Sequence, residues 1–457
     1  MTFFIKLFIF SFFLIALIIL LLLVWIEIDS QLLYIPEVRI NYVATKKEKP
    51  PLFLKDFKLI EENLVSEKKS FLEINLQKME VEFYQEGVLK NVWPIAARGD
   101  VQDWGGTATG LYQVLSKNKS AFSVLAEVNM PWAVNFYGLF YLHGVPFYGS
   151  GERRITEATG GCVQFSDKDA KLIYQIAEKG MPLLVIDKEN DEYRYVRKKP
   201  SDFPKISAQS YLVADLDSGF VFSKKDWEKE ISIASLTKLM TAVIVAENSD
   251  RRKSITVQPF MLSKAYGGTS GLEIGKSFRV VELFYPLLIE SSNDAAEVLS
   301  YFLGRDKTIG LMNEKTKSIL MEKTKFNDPS GLDLGNISTA KDLFYLTRYI
   351  ANNYPLLLGI TKGEEVRAFG EVRFKNLQNK NIFFAHPDFL GGKTGAAINK
   401  SYNGIFIFRF PVDENGAERR IAIILLGSDG LENDVKSIKK DSEQILDWLR
   451  ENYFIQK

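Results

Sequence analysis

The sequence contains very little of the chemistry that binds metals or forms disulfides. Its 457 residues include one cysteine, Cys162, and two histidines, His143 and His386. A single thiol cannot form an intramolecular disulfide, and so few sulfur and imidazole groups exclude a structural zinc site of the Cys/His type. We therefore expect no metal and no other cofactor. Cys162 is then either an inert buried thiol or a reactive one.

The chain also lacks an excess of either charge, with 58 basic and 57 acidic side chains. Binding to nucleic acid depends on basic side chains that displace counterions from phosphates, so we expect no nucleic-acid partner. A content of 46% hydrophobic and 25% charged residues is typical of globular proteins. The length suggests two domains.

One long segment near the N-terminus has no charge. After Lys6, residues 7–26 read LFIFSFFLIALIILLLLVWI, and about twenty apolar residues in a helix span a bilayer core. The following VWIEIDSQ has no small-residue cleavage motif, so we expect an uncleaved transmembrane anchor rather than a signal peptide. Lys6 before the run and acidic residues after it place the remainder of the chain outside the cytoplasm. A buried hydrophobic helix is the alternative.

Composition along the chain predicts the domain boundaries. Alternating apolar residues, with a hairpin turn at Gln85-Glu86-Gly87, indicate a β-rich first domain, and mixed helical and strand patterns indicate an α/β second domain. The predicted fold class is multidomain: an N-terminal transmembrane helix, a mainly-β domain and an α/β (α+β) domain. The predicted segments are residues 1–30 (cytoplasmic tip and anchor), 31–70 (charged stalk or spacer), 71–187 (first domain), 188–205 (polar linker) and 206–457 (second domain).

The lone cysteine has one candidate base in its half of the chain. A thiol attacks carbonyl groups as the thiolate, and with an ordinary pKa of about 8.5 it needs a neighbouring base at neutral pH. His143 lies in LFYLHG, after a strand-like run, and Cys162 lies in TGGCVQ. We expect His143 to lower the pKa of the thiol. The alternative is a structural thiol in a turn, near an unrelated histidine.

The sequence around these two residues resembles a known catalytic domain. MPWAVNFYGLFYLHG, TGGCVQ and DAKLIYQIAEKGMPLLVI, preceded by the loop DWGGTATGLYQV, resemble the L,D-transpeptidase catalytic domain of bacterial cell-wall enzymes over roughly residues 71–187. The resemblance implies that Cys162 is the nucleophile, that His143 is its base and that Gly161 is the small residue beside the nucleophile.

Two positions depart from that family's pattern. The family usually has Ser-His-Gly-Cys followed closely by an arginine, whereas Gly160 replaces the histidine here and Gln164 stands at the arginine position. A glycine can adopt the backbone that a tight turn needs. Losing the arginine removes a fixed positive charge that could hold a carboxylate. The substrate preference of this half therefore stays open.

Three motifs follow in order in the second domain. ISIASLTKLMTAVIVAE places Ser235 and Lys238 one turn apart at the start of a predicted amphipathic helix, where a desolvated lysine amine can act as base for the serine hydroxyl. LLIESSNDAAEVLS contains Ser291 and Asn293, and FLGGKTGAA contains Lys-Thr-Gly at residues 393–395. Ser-x-x-Lys alone is usually a helix cap, but the three motifs in this order are typical of penicillin-recognising serine enzymes.

Residues 206–453 resemble the D-alanyl-D-alanine carboxypeptidases, through GGTSGLEIGKSFRVVELFYPLLIESSNDAAEVLS and KFNDPSGLDLGNISTAKDLFYL. The resemblance also implies a role for each motif residue. Ser235 attacks the penultimate D-Ala carbonyl, Lys238 takes its proton, Ser291 and Asn293 relay protons and orient the substrate amide, Lys393 and Thr394 bind the terminal carboxylate, Gly395 allows close approach, and the N–H groups of Ser235 and Ala396 form the oxyanion hole.

The two resemblances together imply a bifunctional peptidoglycan-processing enzyme, single-pass in the bacterial cell membrane with extracytoplasmic catalytic domains. Its ligands would be peptidoglycan stem peptides, with β-lactams as covalent inhibitors. One alternative is an inactive transpeptidase-like domain that only binds stem peptides. A class A β-lactamase is another, but no Glu-x-x-Leu-Asn element lies between Ser291 and Lys393. We expect a structural or solvent-facing role for His386.

Overall fold

The computed structural model describes residues 54–102, 105–187, 193, 195, 201–250, 252–266, 272–366, 373–374, 376–396, 401–412, 417–428 and 436–454. The predicted transmembrane segment at residues 7–26 lies outside these ranges. Among the described helices, none has the length and apolar character needed to cross a bilayer.

The first domain is built mainly from short strands, as predicted. Its helices are α1 (Leu54–Ser66) and α2 (Asp167–Ile176). Its strands are β1 (Phe71–Asn75), β2 (Glu80–Gln85), β3 (Val88–Pro94), β4 (Arg98–Gly99), β5 (Gly110–Gln113), β6 (Ser116–Ser123), β7 (Val128–Tyr137), β8 (Phe140–His143), β9 (Ala158–Thr159), β10 (Val163–Gln164) and β11 (Pro182–Ile186).

Two sheets enclose the core of this domain. One has the strand order β3-β2-β1-β11-β5, the other β10-β8-β7-β6, and β4 pairs with β9. The predicted hairpin is confirmed: β2 and β3 are antiparallel, and the turn residues Glu86 and Gly87 both have positive φ, as a two-residue hairpin turn requires. Alternate residues such as Ile74, Phe136 and Val163 are buried between the sheets.

Helix α1 corrects part of the predicted spacer. Ile60 and Leu64, one turn apart, are buried and pack against Phe71 and Leu184 of the first domain. The many charged residues of this segment occupy the remaining faces of the helix, so the high charge concealed an amphipathic pattern. Residues 54–66 therefore belong to the folded first domain.

The second domain contains one larger antiparallel sheet. Its helices are α3 (Thr237–Asn248), α4 (Pro259–Leu262), α5 (Val280–Leu288), α6 (Asn293–Leu303), α7 (Arg305–Ser318), α8 (Ala340–Asn353), α9 (Pro355–Lys362) and α10 (Lys436–Asn452). Its strands are β12 (Ser210–Asp215), β13 (Val221–Lys225), β14 (Ile231–Ser232), β15 (Ser254–Thr256), β16 (Ser277–Arg279), β17 (Ile337–Ser338), β18 (Phe389–Ala396), β19 (Tyr402–Pro411) and β20 (Glu418–Ser428).

This sheet, in the order β13-β12-β20-β19-β18, is covered on both faces. Leu212 and Ile424 belong to the large helical core on one face, whereas their neighbours Val213 and Ile423 pack with α10 on the other. Two buried faces explain the continuous apolar runs of β19 and β20, because neither set of alternating side chains reaches water. The predicted α/β character of this domain is confirmed.

Helix α3 differs from the amphipathic helix predicted after Ser235. Its residues from Thr237 to Glu247 are all buried, so the helix lies inside the domain rather than on its surface. Its sequence TKLMTAVIVAE has few polar residues, which suits a helix buried on every side. Ser235 itself lies just before the helix, in the short 3₁₀ segment Ala234–Leu236.

The end of the predicted linker is packed onto the second domain. The Ser201 backbone N–H donates to Asn452 Oδ1 at 3.1 Å, and the ring of Phe203 stacks on Tyr211. Tyr195 OH donates to Asp215 Oδ2 at 2.8 Å. These contacts attach Tyr195, Ser201 and Phe203 of the predicted linker to the second domain.

A buried polar cluster joins the two domains directly. Lys315 Nζ of α7 lies 2.9 Å from Glu247 Oε1 of α3, and both side chains are fully buried. From the first domain, Tyr112 OH lies 3.0 Å from Lys315 Nζ, and Tyr137 OH donates to Glu247 Oε2 at 2.9 Å. Tyr349 OH contacts both charged groups. The ion pair lies within the second domain, and the hydroxyl groups of Tyr112 and Tyr137 join the first domain to it out of contact with water.

Close backbone approach accompanies this cluster. A Cβ atom at Gly138 would lie 2.5 Å from Asn248 Oδ1, and one at Gly110 would lie 2.6 Å from the Ser318 carbonyl oxygen. The Gly106 N–H donates to the Asn353 carbonyl at 2.7 Å. Glycine lets the first domain contact the helices of the second at these points.

Candidate active sites

The Ser-x-x-Lys motif forms the centre of the site in the second domain. Ser235 Oγ lies 2.9 Å from Lys238 Nζ, because α3 begins directly after the 3₁₀ segment and places the two side chains one turn apart. Lys238 Nζ also lies 2.8 Å from Asn293 Oδ1 and 2.6 Å from the Ser330 carbonyl oxygen. Three oxygen atoms therefore hold the amine beside the serine hydroxyl.

Burial tunes this lysine for proton transfer. Desolvation lowers the pKa of Lys238 to about 7; the Asp328 carboxylate opposes this shift and the Lys380 ammonium group adds to it. A substantial fraction of the amine is neutral near pH 7, and a neutral amine can accept the proton of Ser235. The arrangement suits general-base activation of a serine nucleophile.

The other two motifs converge on the same point. Lys393 Nζ of β18 donates to Ser291 Oγ at 2.9 Å, and Asn293 Nδ2 donates to the Tyr266 carbonyl at 2.6 Å. Lys393 is fully buried, and burial, with the nearby Lys238, holds its pKa well below the usual value. Lys393 therefore lies behind Ser291 and not on the cleft wall. Of the two residues implied to bind a carboxylate, Thr394 is the one that lines the cleft.

A cleft of about 550 Å³ opens over Ser235. Its lining includes the predicted residues Ser291, Asn293, Thr394, Gly395 and Ala396. A Cβ atom at position 395 would lie 2.9 Å from the Ile233 carbonyl oxygen and 3.1 Å from the Ser235 backbone nitrogen. Glycine is thus what allows β18 to lie so close to the nucleophile.

The structure adds residues that the motifs do not reveal. Lys380 lines the serine cleft, as do the exposed apolar side chains of Leu334 and Phe384. Asp328 accepts hydrogen bonds from the backbone N–H groups of Ser330 and Gly331, both at 2.6 Å, and so shapes the loop that supplies the Ser330 carbonyl to Lys238. The signal for this loop was its Asp-Pro-Ser-Gly sequence, which is typical of a turn.

His386 lies outside the serine cleft. Its ring packs edge-on against Phe383 and Phe408, and its Nδ1 accepts from the Asp388 backbone N–H at 3.1 Å. The expectation of a structural role is confirmed.

The second site is in the first domain, where Cys162 and His143 line one cleft of about 650 Å³. β10, which follows Cys162, is parallel to β8, and Gln164 is the register partner of His143. Gly161 has φ of +115°, and a Cβ atom there would lie 2.0 Å from Phe140 Cε1. Position 161 therefore requires glycine.

Position 160, by contrast, has room for a side chain. A Cβ atom at Gly160 would meet no atom within 4 Å among the described residues. The histidine that the family usually has there is absent from this chain, although the backbone leaves space for it.

His143 is arranged as a neutral base. Its Nδ1 lies 2.6 Å from the Gly144 carbonyl oxygen, which can only accept, so Nδ1 carries the proton and Nε2 is left as an acceptor. Burial lowers the pKa of His143, which favours the neutral ring at pH 7.

The environment of Cys162 corrects the expectation of a lowered thiol pKa. Burial raises the pKa of Cys162 to about 11, and its Sγ donates to the Leu139 carbonyl at 3.7 Å. The resting thiol is thus protonated. A thiolate would form only if His143 took the proton during the reaction.

Comparison with known proteins agrees with the three-motif site. Residues 197–405 match the family model of D-alanyl-D-alanine carboxypeptidases, and "D-alanyl-D-alanine carboxypeptidase DacB2" of Mycobacterium tuberculosis is 31% identical over 208 residues, 44% of this chain and 71% of that protein. The chain belongs to the D-alanyl-D-alanine carboxypeptidase family. Residues 69–185 match the model of the L,D-transpeptidase catalytic domain, so the fusion predicted from the sequence is confirmed.

Further relatives of this carboxypeptidase-family chain carry related names. "D-alanyl-D-alanine carboxypeptidase DacC" of Escherichia coli is 26% identical over 267 residues, which cover 56% of this chain and 64% of that protein. A crystal structure of a D-alanyl-D-alanine carboxypeptidase from Mycobacterium tuberculosis matches with 26% identity and a TM-score of 0.47, covering 55% of this chain and 94% of that one.

Proposed function

We propose that the protein is a bifunctional peptidoglycan-processing enzyme. Its second domain would be a serine D,D-carboxypeptidase that removes the terminal D-Ala from pentapeptide stems. Its first domain would be a cysteine L,D-transpeptidase that uses the resulting tetrapeptides as donors. The observation that carries the proposal is the contact of a buried, low-pKa Lys238 with Ser235 at 2.9 Å, at the point where all three motifs meet.

The serine reaction follows from the contacts in the cleft. Neutral Lys238 takes the Ser235 proton as Oγ attacks the penultimate D-Ala carbonyl, and the oxyanion forms against the N–H groups of Ser235 and Ala396. The C–N bond then breaks, and the terminal D-Ala amine leaves with a proton relayed through Ser291. Attack of water on the acyl-enzyme frees Ser235 and releases the tetrapeptide.

A labelled penicillin tests this half. It should acylate Ser235, and Ser235→Ala should abolish the labelling while leaving the fold intact, since the two side chains differ by one hydroxyl. Ser263→Ala is a matched control, because the partner of this exposed hydroxyl among the described residues is the nearby Phe260 carbonyl. Persistent labelling of Ser235→Ala would show that another residue is the nucleophile.

The cysteine half would use the same type of substrate. Nε2 of His143 would take the Cys162 proton as Sγ attacks the peptide carbonyl that precedes the terminal D-Ala of a tetrapeptide, and D-Ala would leave with that proton. An acceptor amine would then attack the thioester and restore the thiol. We expect L,D-linked products from pentapeptide with the intact chain, none with Ser235→Ala unless tetrapeptide is supplied, and accumulated tetrapeptide with Cys162→Ala.

A second candidate function for the first domain is stem-peptide binding without catalysis. The raised pKa of Cys162 favours it, as does the replacement of the family's arginine by Gln164. Analysis of the peptide products distinguishes the two functions. If the wild-type chain makes tetrapeptide and nothing further with an acceptor amine in excess, the first domain is a binding module.

We also propose that residues 7–26 anchor the protein as a single-pass segment in the bacterial cell membrane, with both catalytic domains outside the cytoplasm. The apolar run after Lys6 supports this proposal. The full chain should sediment with membranes after a high-salt wash, and a chain starting at residue 50 should not. Recovery of both forms in the soluble fraction would contradict the anchor.

A further inference from the structure

The cysteine cleft is not built from the first domain alone. Three residues of the carboxypeptidase domain, Asp250, Arg252 and Val281, line it together with Cys162 and His143. Asp250 lies just after the end of α3, and Val281 lies in the first turn of α5. The second domain therefore forms part of the wall of the first domain's site.

Arg252 is held in a defined position on this wall. Its Nε lies 3.0 Å from Asp250 Oδ1, and its Nη2 lies 3.2 Å from Asp250 Oδ2. Nη2 also donates across the domain boundary to the Leu125 carbonyl, at 2.8 Å, in the turn between β6 and β7. A guanidinium group has five N–H donors, and the two on Nη1 have no partner among the described residues.

The buried cluster fixes the relative position of these two walls. Glu247, which accepts from Tyr137 of the first domain at 2.9 Å, lies in the last turn of α3, shortly before Asp250. Tyr137 ends β7, the strand that pairs with β8 and so leads to His143. The contact between Tyr137 and Glu247 therefore fixes the position of Arg252 relative to the residues around Cys162.

The cysteine cleft has a neutral side chain, Gln164, close to the nucleophile. The residue two positions after Cys162 is the neutral Gln164, and the charged side chains that line the cleft near it include Arg252. Gln164 is buried, lines the cleft, and its Oε1 has no hydrogen-bond partner in the described part of the chain. A carboxamide carries no charge with which to bind a carboxylate, whereas a guanidinium group does so by charge-assisted hydrogen bonds.

We propose that Arg252 binds a carboxylate of the peptide in the cysteine cleft, so that the carboxypeptidase domain supplies a specificity-determining residue of the other site. The inference rests on the proposed function of the first domain, because it assigns the ligand as a stem peptide. Arg154 is a second arginine of this cleft, but its one hydrogen bond there, from Nη1 to the Ala126 carbonyl, is long at 3.4 Å. Arg252 is the better braced of the two and would lose less freedom on binding.

The test measures binding and not turnover. The full chain with Cys162→Ala is first acylated at Ser235 with penicillin, which blocks the serine cleft and leaves one peptide site. Dissociation constants are then measured for a tetrapeptide stem with free carboxylates and for the same peptide amidated at one carboxyl group at a time. The amidated series shows whether the bound group is the terminal carboxylate or a side-chain carboxylate.

Arg252→Gln should weaken binding of the free-carboxylate peptide by up to about tenfold, the size expected for one charge-assisted hydrogen bond from a side chain that is 69% exposed. One of the amidated peptides should bind the chain that retains Arg252 as weakly as the free-carboxylate peptide binds Arg252→Gln. The affinity of that amidated peptide should not fall further in Arg252→Gln. Arg252→Lys, which keeps the charge, should restore part of the affinity. Penicillin acylation of Ser235 and an unchanged melting temperature show that each variant is folded.

Arg409→Gln serves as a matched control, since this half-exposed arginine pairs with Glu418 on the sheet of the second domain and does not line the cysteine cleft. The proposal is overturned if Arg252→Gln weakens all peptides equally or none, or if Arg154→Gln alone removes the discrimination. A chain that binds peptide through Arg252 but forms no L,D-linked product refutes the proposed transpeptidase activity and leaves this inference standing. If the chain forms L,D-linked product but Arg252→Gln leaves peptide binding unchanged, this inference is refuted and the proposed transpeptidase activity stands.

Discussion

Lys238 shows how burial of one side chain sets the pH dependence of a reaction. Its pKa, lowered to about 7, means that the amine is protonated in acid and neutral above pH 7. Since only the neutral amine accepts the Ser235 proton, we predict that the rate of penicillin acylation rises with pH through about 7 and then levels off. Stopped-flow acylation between pH 5 and 9 measures this midpoint.

Lys380→Ala provides the companion variant. The Lys380 ammonium group helps to lower the pKa of Lys238, so removing it should move the acylation midpoint to higher pH. A rate that does not vary with pH in this range would contradict the role of Lys238 as base.

Cys162 gives the opposite expectation for its own reactivity. Because burial raises the thiol pKa to about 11, we predict that alkylation by iodoacetamide is slow at pH 7 and accelerates only in strongly alkaline solution. His143→Ala should change this profile little in the absence of substrate. Mass spectrometry of timed samples measures the rates, and rapid labelling at pH 7 would show a preformed thiolate instead.

At the scale of single residues, the sequence was sufficient to predict which side chains meet when they belong to the same short motif. Ser235 and Lys238 are brought together by one helical turn, and local geometry of that kind is set by spacing alone. Lys380 and Arg252 reach their clefts through tertiary packing, so no local pattern marks them. The raised thiol pKa of Cys162 likewise depends on burial, which spacing does not encode.

Strands β1 and β2 carry a pH-sensitive pair of carboxyl groups. Glu73 of β1 is the register partner of Glu82 of β2, and Glu61 of α1 and Lys78 also act on it. Burial, then the two neighbouring carboxylates, raise the pKa of Glu73 to about 8 against a smaller opposing effect of Lys78. The Glu73 Oε2 atom has no partner among the described residues, as suits a protonated acid.

We predict that this carboxyl destabilises the protein as pH rises. A folded-state pKa above the unfolded value means that the folded state binds the proton more tightly, so this stabilisation is complete in acid and is lost between about pH 4.5 and 8. The loss should be on the order of 5 kcal/mol, because the pKa rises from 4.5 to about 8 and each pKa unit corresponds to about 1.4 kcal/mol. Urea unfolding of the wild type and Glu73→Gln at pH 5 and 8 measures it.

Glu73→Gln keeps the shape of the side chain and cannot ionise, so its stability should vary less between the two pH values. Glu80→Gln, at the start of the same β2 strand, is a control for general effects of removing one negative charge. Equal pH dependence in wild type and Glu73→Gln would show that Glu73 is already ionised at pH 5.

The elements themselves differed in how well the sequence predicted them. The β2–β3 hairpin was predictable because Glu86-Gly87 encodes its turn and the alternating pattern encodes its strands. Helix α1 was not recognised, because Ile60 and Leu64 are the deeply buried apolar residues among its described side chains and charged residues surround them. Helix α3 was recognised, but its complete burial depends on partners distant in sequence.

At the scale of the whole molecule, the two domains meet where Tyr112 and Tyr137 of the first domain contact the buried Lys315–Glu247 ion pair of the second. Lys315→Met removes one partner of Glu247 and leaves a buried charge uncompensated, so we predict a loss of about 3–5 kcal/mol in the free energy of unfolding. Chemical denaturation followed by tryptophan fluorescence measures the loss.

The double variant Lys315→Met with Glu247→Gln separates the causes. It removes both charges, so it should be more stable than Lys315→Met alone. Lys362→Met, at a half-exposed surface pair with Glu364, should change stability by less than about 1 kcal/mol. If the double variant is the less stable of the two, the ion pair is not what makes the single change costly.

The direct contact of the domains was not predictable from the sequence. The segment around residues 188–205 is polar and typical of a linker, which suggested two tethered bodies. Tyr112, Tyr137 and Glu247 lie far apart in the chain, and each alone is an ordinary residue of its strand or helix. Gly138 is equally uninformative until Asn248 is seen beside it.

Helix α3 connects the contact between the domains at Glu247 to the catalytic motif at Lys238. This connection has a consequence for the inheritance of the two domains. Lys238 in its first turn and Glu247 in its last are separated by about 14 Å of straight helix. A gene encoding only the second half would produce a carboxypeptidase-family domain whose Lys315 and Glu247 lack the hydroxyl groups of Tyr112 and Tyr137. The two halves should therefore pass between genomes as one unit.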